Sequence, residues 1–194
     1  MPSCTWDGGH GIDTAWKRSP DGVLREYAWT RDTGEIFEQT LNANGVICTN
    51  VVPEETDIPL PERCRRINLI TRERKDNVHV SWHVNAAGMG DKWYDARGWQ
   101  VHVYTNPSVG SRKLACYAFD EAKAKGFKVR PESPGMPFRP KNLAILRDTD
   151  CPAILIENFF MDNKEDYEYL LSPNSIYECA DVAARAVLKY FGIL

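Results

Sequence analysis

The sequence predicts an α/β protein in which one sheet is sandwiched between helices. Three observations carry that expectation. Strand-like apolar runs alternate with amphipathic helical stretches along the whole chain, the order that gives a largely parallel sheet. The 194 residues fit a single domain with a sizeable core, and neither an internal repeat nor a low-complexity linker interrupts them. The run Ala153-Ile154-Leu155-Ile156 is apolar throughout, the pattern of a central strand covered on both faces.

In chain order, Ser3 to Trp6 reads as a short first strand. Leu24 to Asn44 reads as a long helix, broken or kinked near Gly34 and stopped by Gly45. Val46 to Val52 is the second strand, ending before Pro53, and Pro61 opens a helix that runs to Arg74. Asn77 to Val84 and Gly98 to Tyr104 are the third and fourth strands. Ser108 to Lys125 is a helix stopped by Gly126. Leu143 to Leu146 and Ala153 to Glu157 read as two more strands. The chain closes on an amphipathic helix carrying Ile176, Cys179, Ala180, Ala183, Val187, Tyr190 and Phe191, with Ser172 and Pro173 as its start signal.

Chemistry-bearing residues gather at strand ends, where ligands of open α/β sheets bind. His10 lies in Asp7-Gly8-Gly9-His10-Gly11, His83 in Ser81-Trp82-His83-Val84-Asn85, and Glu157 closes the apolar run before Asn158. Glu26 adds a carboxylate in the first turns of the first helix. Two imidazoles and one carboxylate suit a catalytic zinc with an open position, and a second carboxylate suits the base that works on water. Local sequence leaves open which glutamate does which. An acid at a helix start, like Glu26, is ordinarily a solvated partner of the helix dipole. A carboxylate ending an apolar run is costly to bury without a partner, and such surroundings push its pKa upward.

His79 is excluded from the same metal as His83. In a strand, four residues at about 3.3 Å each separate the two imidazoles by roughly 13 Å. His102, inside Trp99 to Tyr104, reads as a sheet histidine, and Trp93, Tyr94 and Trp99 read as packing rather than a sugar platform. Asn85 is a candidate for positioning substrate. Arg130, Arg139 and Arg147 are weak candidates for a substrate carboxylate.

The ordered series from Asp7-Gly8-Gly9-His10-Gly11 through Glu26, Arg63 to Asn68, Ser81 to Asn85, Gly98 to Tyr104, Leu143 to Arg147 and Pro152 to Asn163 resembles the zinc-dependent N-acetylmuramoyl-L-alanine amidases of the amidase-3 type. The likeness covers essentially the whole chain. It implies a mixed, mostly parallel sheet of about six strands flanked by helices in one three-layer catalytic domain; along the chain itself, nothing resembles a separate wall-binding domain. It also implies that His10, Glu26 and His83 bind one Zn2+ and that Glu157 is the catalytic carboxylate. Gly8 stands where the family has proline, Ile12 where it has a second glycine, and Phe159 and Asp162 where it has glycine and serine. The stretch from Glu157 to Tyr167 looks more like the lysin branch of phages and prophages.

Composition fits this expectation. A net charge of −3 gives no nucleic-acid footprint, and no apolar run is long enough to span a bilayer. The six cysteines lack CxxC spacing and read as reduced, mostly buried thiols. Met1-Pro2-Ser3-Cys4 leads straight into the first motif. The expectation is therefore a protein made in the cytoplasm without a signal peptide, acting on the cell wall after a membrane pore or lysis releases it. The implied partner is peptidoglycan. Oligomeric state is not written in any of these features. Two alternatives compete: another zinc peptidase or amidohydrolase on the same fold, and a non-catalytic wall-binding module, which would need no base beside a metal.

Overall fold

Along Asn77-Val78-His79-Val80-Ser81-Trp82-His83-Val84-Asn85 every second residue is apolar, and a strand sends alternate side chains to opposite faces. That alternation sets the architecture. The computed structural model describes all 194 residues. It runs β1 (Ser3–Gly8), α1 (Glu26–Ala43), β2 (Ile47–Asn50), α2 (Leu60–Glu73), β3 (Asn77–Asn85), β4 (Gln100–Val103), α3 (Val109–Ala124), β5 (Arg139–Pro140), α4 (Ala144–Arg147), β6 (Ala153–Phe160), α5 (Lys164–Leu171) and α6 (Asn174–Tyr190). The six strands form one sheet in the order β2-β1-β3-β6-β4-β5. The first four are mutually parallel, β4 runs antiparallel to β6, and β5 lies parallel to β4.

Register sorts the side chains onto two faces. Thr5 pairs with His79, Asp7 with Ser81, Ser81 with Leu155, His83 with Glu157, and Glu157 with Gln100. Directly paired residues share a face, so this face carries most of the polar groups of the sheet. The opposite face presents Cys4, Trp6, Val78, Val80, Trp82, Ile154, Ile156, Val101 and Val103. It packs on α1, α3 and α6 in a core of 32 buried residues. Full burial of one such large side chain contributes about 1.5–3 kcal/mol. The polar face is covered by α2 and α4, through a smaller cluster of eight residues that includes Ile67, Ile145, Leu146 and Leu155.

The structure corrects the sequence reading at four places. Helix α1 is unbroken through Gly34. The glycine admits the Trp6 ring, because a Cβ there would lie 2.1 Å from Trp6 Cζ3. Leu143 to Leu146 is not a strand. Leu143 caps the one-turn helix α4, which turns Ile145 and Leu146 inward. A four-residue apolar run has no period to decide between helix and strand. The strand that takes its place in the sheet is the two-residue β5, Arg139–Pro140, at the sheet edge, where a proline costs no ladder bond. Helix α5 follows β6 and is capped by the Asn163 side chain, which accepts from the Asp166 N–H.

Candidate metal centre and active site

Gly8 and Gly9 bring β1 to its end with no side chain in the way. A Cβ on Gly8 would sit 3.0 Å from Thr30 Oγ1 of α1, and one on Gly9 would sit 2.5 Å from the His83 ring. His10 then takes a left-handed backbone conformation, with φ +61°. Histidine is among the few non-glycine residues that visit this region, and strain there often marks a functional site. Arg31 of α1 fixes the turn by donating to the His10 carbonyl at 3.1 Å and to Glu54 O at 2.8 Å.

Glu26 enters from the first turn of α1 and is fully buried. Its Oε1 lies 3.0 Å from His83 Nδ1 and accepts from the Val84 N–H at 3.0 Å, while its Oε2 stands 3.8 Å from His10 Nε2. One ligand atom from each of His10, Glu26 and His83 falls within 4.8 Å of the other two. Glu26 Oε2 is buried and accepts no hydrogen bond; its nearest cation is the half-exposed Lys17 ammonium at 3.8 Å, which leaves room for a closer charge to offset its desolvation. Burial alone would raise the Glu26 pKa, but the His83 hydrogen bond and the nearby positive charges outweigh it and hold the carboxylate ionised. Burial lowers the His10 pKa to about 4, leaving a neutral imidazole with a free lone pair. The donor set therefore fits one divalent ion of the zinc type.

Glu157 is the direct neighbour of His83 on the adjacent strand. It lies outside the three-residue cluster. The structure places it within β6, not at its end. The strand continues through a bulge, in which Phe160 rather than Phe159 pairs with Asn85. Bulges re-aim side chains next to sites. Here Phe159 has φ +64°, at the position where the resemblance leads one to expect glycine. Its ring packs edge-on against Tyr169 and Phe127, with centroids 4.8 and 5.0 Å away. Asn158 locks the bulge, donating to His83 O at 3.1 Å and accepting from Trp99 Nε1 at 3.2 Å. Burial raises the Glu157 pKa to about 7, and its Oε2 has no partner.

Behind this group runs a buried polar network that sequence reasoning did not assign. Arg63 pairs with Asp7 and donates to Gly8 O at 2.8 Å and to Asp57 Oδ1 at 2.8 Å. Asp57 Oδ2 stands 3.8 Å from His10 Nδ1, in position to orient that ring from its far side. The polar half of the alternation along β3 was the available signal. A cavity of about 240 Å³ opens beside the triad between Leu60, Leu143, Ala144 and Ile145, floored by Ser81 and Leu155.

The remaining sequence candidates fall elsewhere. His79 is fully buried, 3.2 Å from Asp7 Oδ1 and 3.1 Å from Thr5 Oγ1. His102 bonds Arg139 O and Gln100, and burial lowers its pKa to about 3. Trp99 is buried and Trp93 packs on Tyr167. Asn85 Oδ1 accepts from the Ala86 N–H. Arg139 and Arg147 pair with Glu132 and Asp148, and Arg130 lies over the Phe160 ring.

At the carboxyl ends of the parallel strands of this mixed sheet, two imidazoles and a carboxylate converge into a group that could hold one metal ion, with a second carboxylate beside it. The chain matches the N-acetylmuramoyl-L-alanine amidase family over residues 6–189, and it belongs to that family. A relative, the endolysin of Bacillus phage SPP1, is 28% identical over 136 residues. That match spans 64% of this chain and 46% of the endolysin, so the chain covers about half the length of that relative. Among solved structures, the catalytic domain of the amidase CwlV from Bacillus (Paenibacillus) polymyxa superposes with a TM-score of 0.84 at 20% identity, over 100% of both chains. An N-acetylmuramoyl-L-alanine amidase from Clostridium difficile 630 gives a TM-score of 0.86 at 21% identity, over 99% of this chain and 97% of that one. The six-stranded mixed sheet that the resemblance implied is the sheet observed.

Proposed function

We propose that this chain hydrolyses the amide between the lactyl group of N-acetylmuramic acid and the L-alanine of the stem peptide in peptidoglycan, as an endolysin or autolysin. The observation that carries the reading is the convergence of His10, Glu26 and His83 beside Glu157, in a chain that belongs to the amidase family. His10, Glu26 and His83 hold the zinc. When bound, that ion supplies Lewis-acid polarisation of the scissile carbonyl and makes a water easier to deprotonate. Glu157 Oε2 takes the proton from the attacking water and afterwards delivers one to the leaving amine of L-alanine. Burial raises its pKa above the usual carboxylate range, which suits a group that must do both. Asp57 and the Arg63–Asp7 pair keep His10 and the end of β1 in place.

Digestion of purified peptidoglycan tests the reaction. New L-alanine amino termini with intact glycan strands are expected, whereas new reducing ends without new amines would mean a glycosidase. Defined muropeptides cut at another amide would favour a different zinc peptidase. The roles separate by metal content: His83→Ala loses the ion, while Glu157→Gln keeps about one zinc per chain. Zinc loss in the second variant would make Glu157 a ligand. Wall binding without detectable zinc in the parent protein would point to a binding module.

A further inference from the structure

We propose that the turn Trp16-Lys17-Arg18 forms the glycan-binding wall of this site, with the Trp16 indole as the platform for a pyranose ring of the substrate strand. The inference rests on the amidase reading and adds which side of the centre takes the sugar polymer.

Trp16 is 60% exposed, and its backbone has φ +66°, a conformation a bulky side chain rarely adopts. Folding gains little from so large an apolar group in solvent. An exposed aromatic on a strained backbone at the rim of a site points to a ligand. The turn is anchored to the triad itself. Lys17 O accepts from the Glu26 N–H at 3.1 Å, and Lys17 Nζ stands 3.8 Å from Glu26 Oε2. The ring is held from one side by Arg18, whose guanidinium carbon lies 5.5 Å from the ring centroid. Arg18 is itself tied to Asp91 at 3.0 Å and to the carbonyls of Ser19 and Pro20. One face of an immobilised indole is thereby left for a ligand.

Beneath the turn lies a cavity of about 200 Å³ that Trp16 shares with Asp13, Arg18, Arg25 and Tyr27. An aromatic platform next to hydroxyl, carboxylate and guanidinium groups matches a pyranose, which offers an apolar C–H face and a rim of hydroxyl and amide groups. The cavity beside the triad is lined by Leu60, Leu143, Ala144 and Ile145, side chains that offer a sugar's hydroxyl groups no hydrogen bonds.

The test compares Trp16→Gly and Trp16→Phe in the zinc-loaded protein and, for binding, in a Glu157→Gln background. Glycine relieves the positive φ, so thermal stability should hold or rise while the platform is lost. Cosedimentation with purified glycan–peptide strands should weaken about tenfold for Trp16→Gly. KM for strands should rise by about the same factor at unchanged kcat and zinc content, and Phe should restore most of the loss. Cleavage of a single-sugar muramoyl peptide should be unchanged. Strand binding equal to the parent overturns the proposal, as does an equal loss on the single-sugar substrate. If the parent frees no L-alanine amines, the amidase reading falls, and the binding comparison still decides the role of Trp16.

Discussion

The two faces of the sheet are built from the same strands and do opposite work. On one, Trp6, Trp82, Ile154 and Ile156 meet α1, α3 and α6, and the large apolar core closes over them. On the other, Asp7, His79, Ser81, His83, Gln100 and Glu157 lie under two shorter helices. The first face needs only shape and volume, because apolar burial is non-directional. The second must give each polar group a partner or bear the desolvation cost. It does so for His102, and for one oxygen of Asp7 through Arg63, but it leaves Ser81 Oγ, Gln100 Oε1 and Glu157 Oε2 without a hydrogen bond, and likewise Asp7 Oδ1 and His79 Nε2, which face each other at 3.2 Å; at the edge Glu26 Oε2 has only the Lys17 ammonium, 3.8 Å away. Part of this unmet bonding capacity, that of Glu26 Oε2, Ser81 Oγ and Glu157 Oε2, lies at or beside the triad. One face carries the stability and the other spends part of it.

Glu157→Gln gives the largest expected effect. It removes the base and leaves the apolar face untouched. The turnover rate should fall by about 10²- to 10⁴-fold with no loss of thermal stability, because an unpartnered buried carboxyl is replaced by a neutral amide. A fall in Tm of several degrees would break the division of labour between the faces. The pH profile sharpens it. Glu157 must be ionised to accept a proton, and burial raises its pKa to about 7. Activity should therefore rise with pH through the acid limb, about tenfold per unit, and level off above it. With a divalent cation at the triad the midpoint lies below 7, since positive charge favours the ionised form. Activity that instead rises as pH falls would exclude Glu157 as the base.

Gly34→Val probes the other face. Its Cβ would meet the Trp6 ring at 2.1 Å, inside a core where Trp6 is fully buried. Overpacking of this kind costs about 3 kcal/mol or more, which for a chain of this size lowers Tm by roughly 10 °C. Material that remains folded should bind zinc and turn over normally when measured well below its own Tm. Loss of zinc affinity in that folded fraction would show that the two faces are coupled through β1.

How much of this was legible in sequence follows from the same contrast. The apolar run of β6 and the period of β3 announced central strands, and the geometry of β3 removed His79 from the metal site. Leu143 to Leu146 misled because four apolar residues fit either element. Helix α5 carried a readable signal in Asn163 and Asp166. Glu26 was opaque: an acid at a helix start looks solvated, and its complete burial accompanies the close approach of α1 to the end of β1 at Gly8. The Gly34 kink was a misreading of close approach as flexibility. The strained backbones of Trp16 and Phe159 had no local signature, since neither residue type favours positive φ.

The smallest expected effect is the most discriminating for the polar face. Ser81 is fully buried in the floor of the cavity beside the triad, and its hydroxyl has no partner. If that hydroxyl served folding, Ser81→Ala would destabilise the protein. Because it is unpaired, its removal relieves a desolvation cost, and stability should hold or rise by up to about 1 kcal/mol. If a ligand in the cavity meets this hydroxyl, KM for the muramoyl peptide should rise a few-fold while zinc content stays the same. A destabilised Ser81→Ala with unchanged KM would place Ser81 with the structural residues and shrink the working part of this face to His10, Glu26, His83 and Glu157.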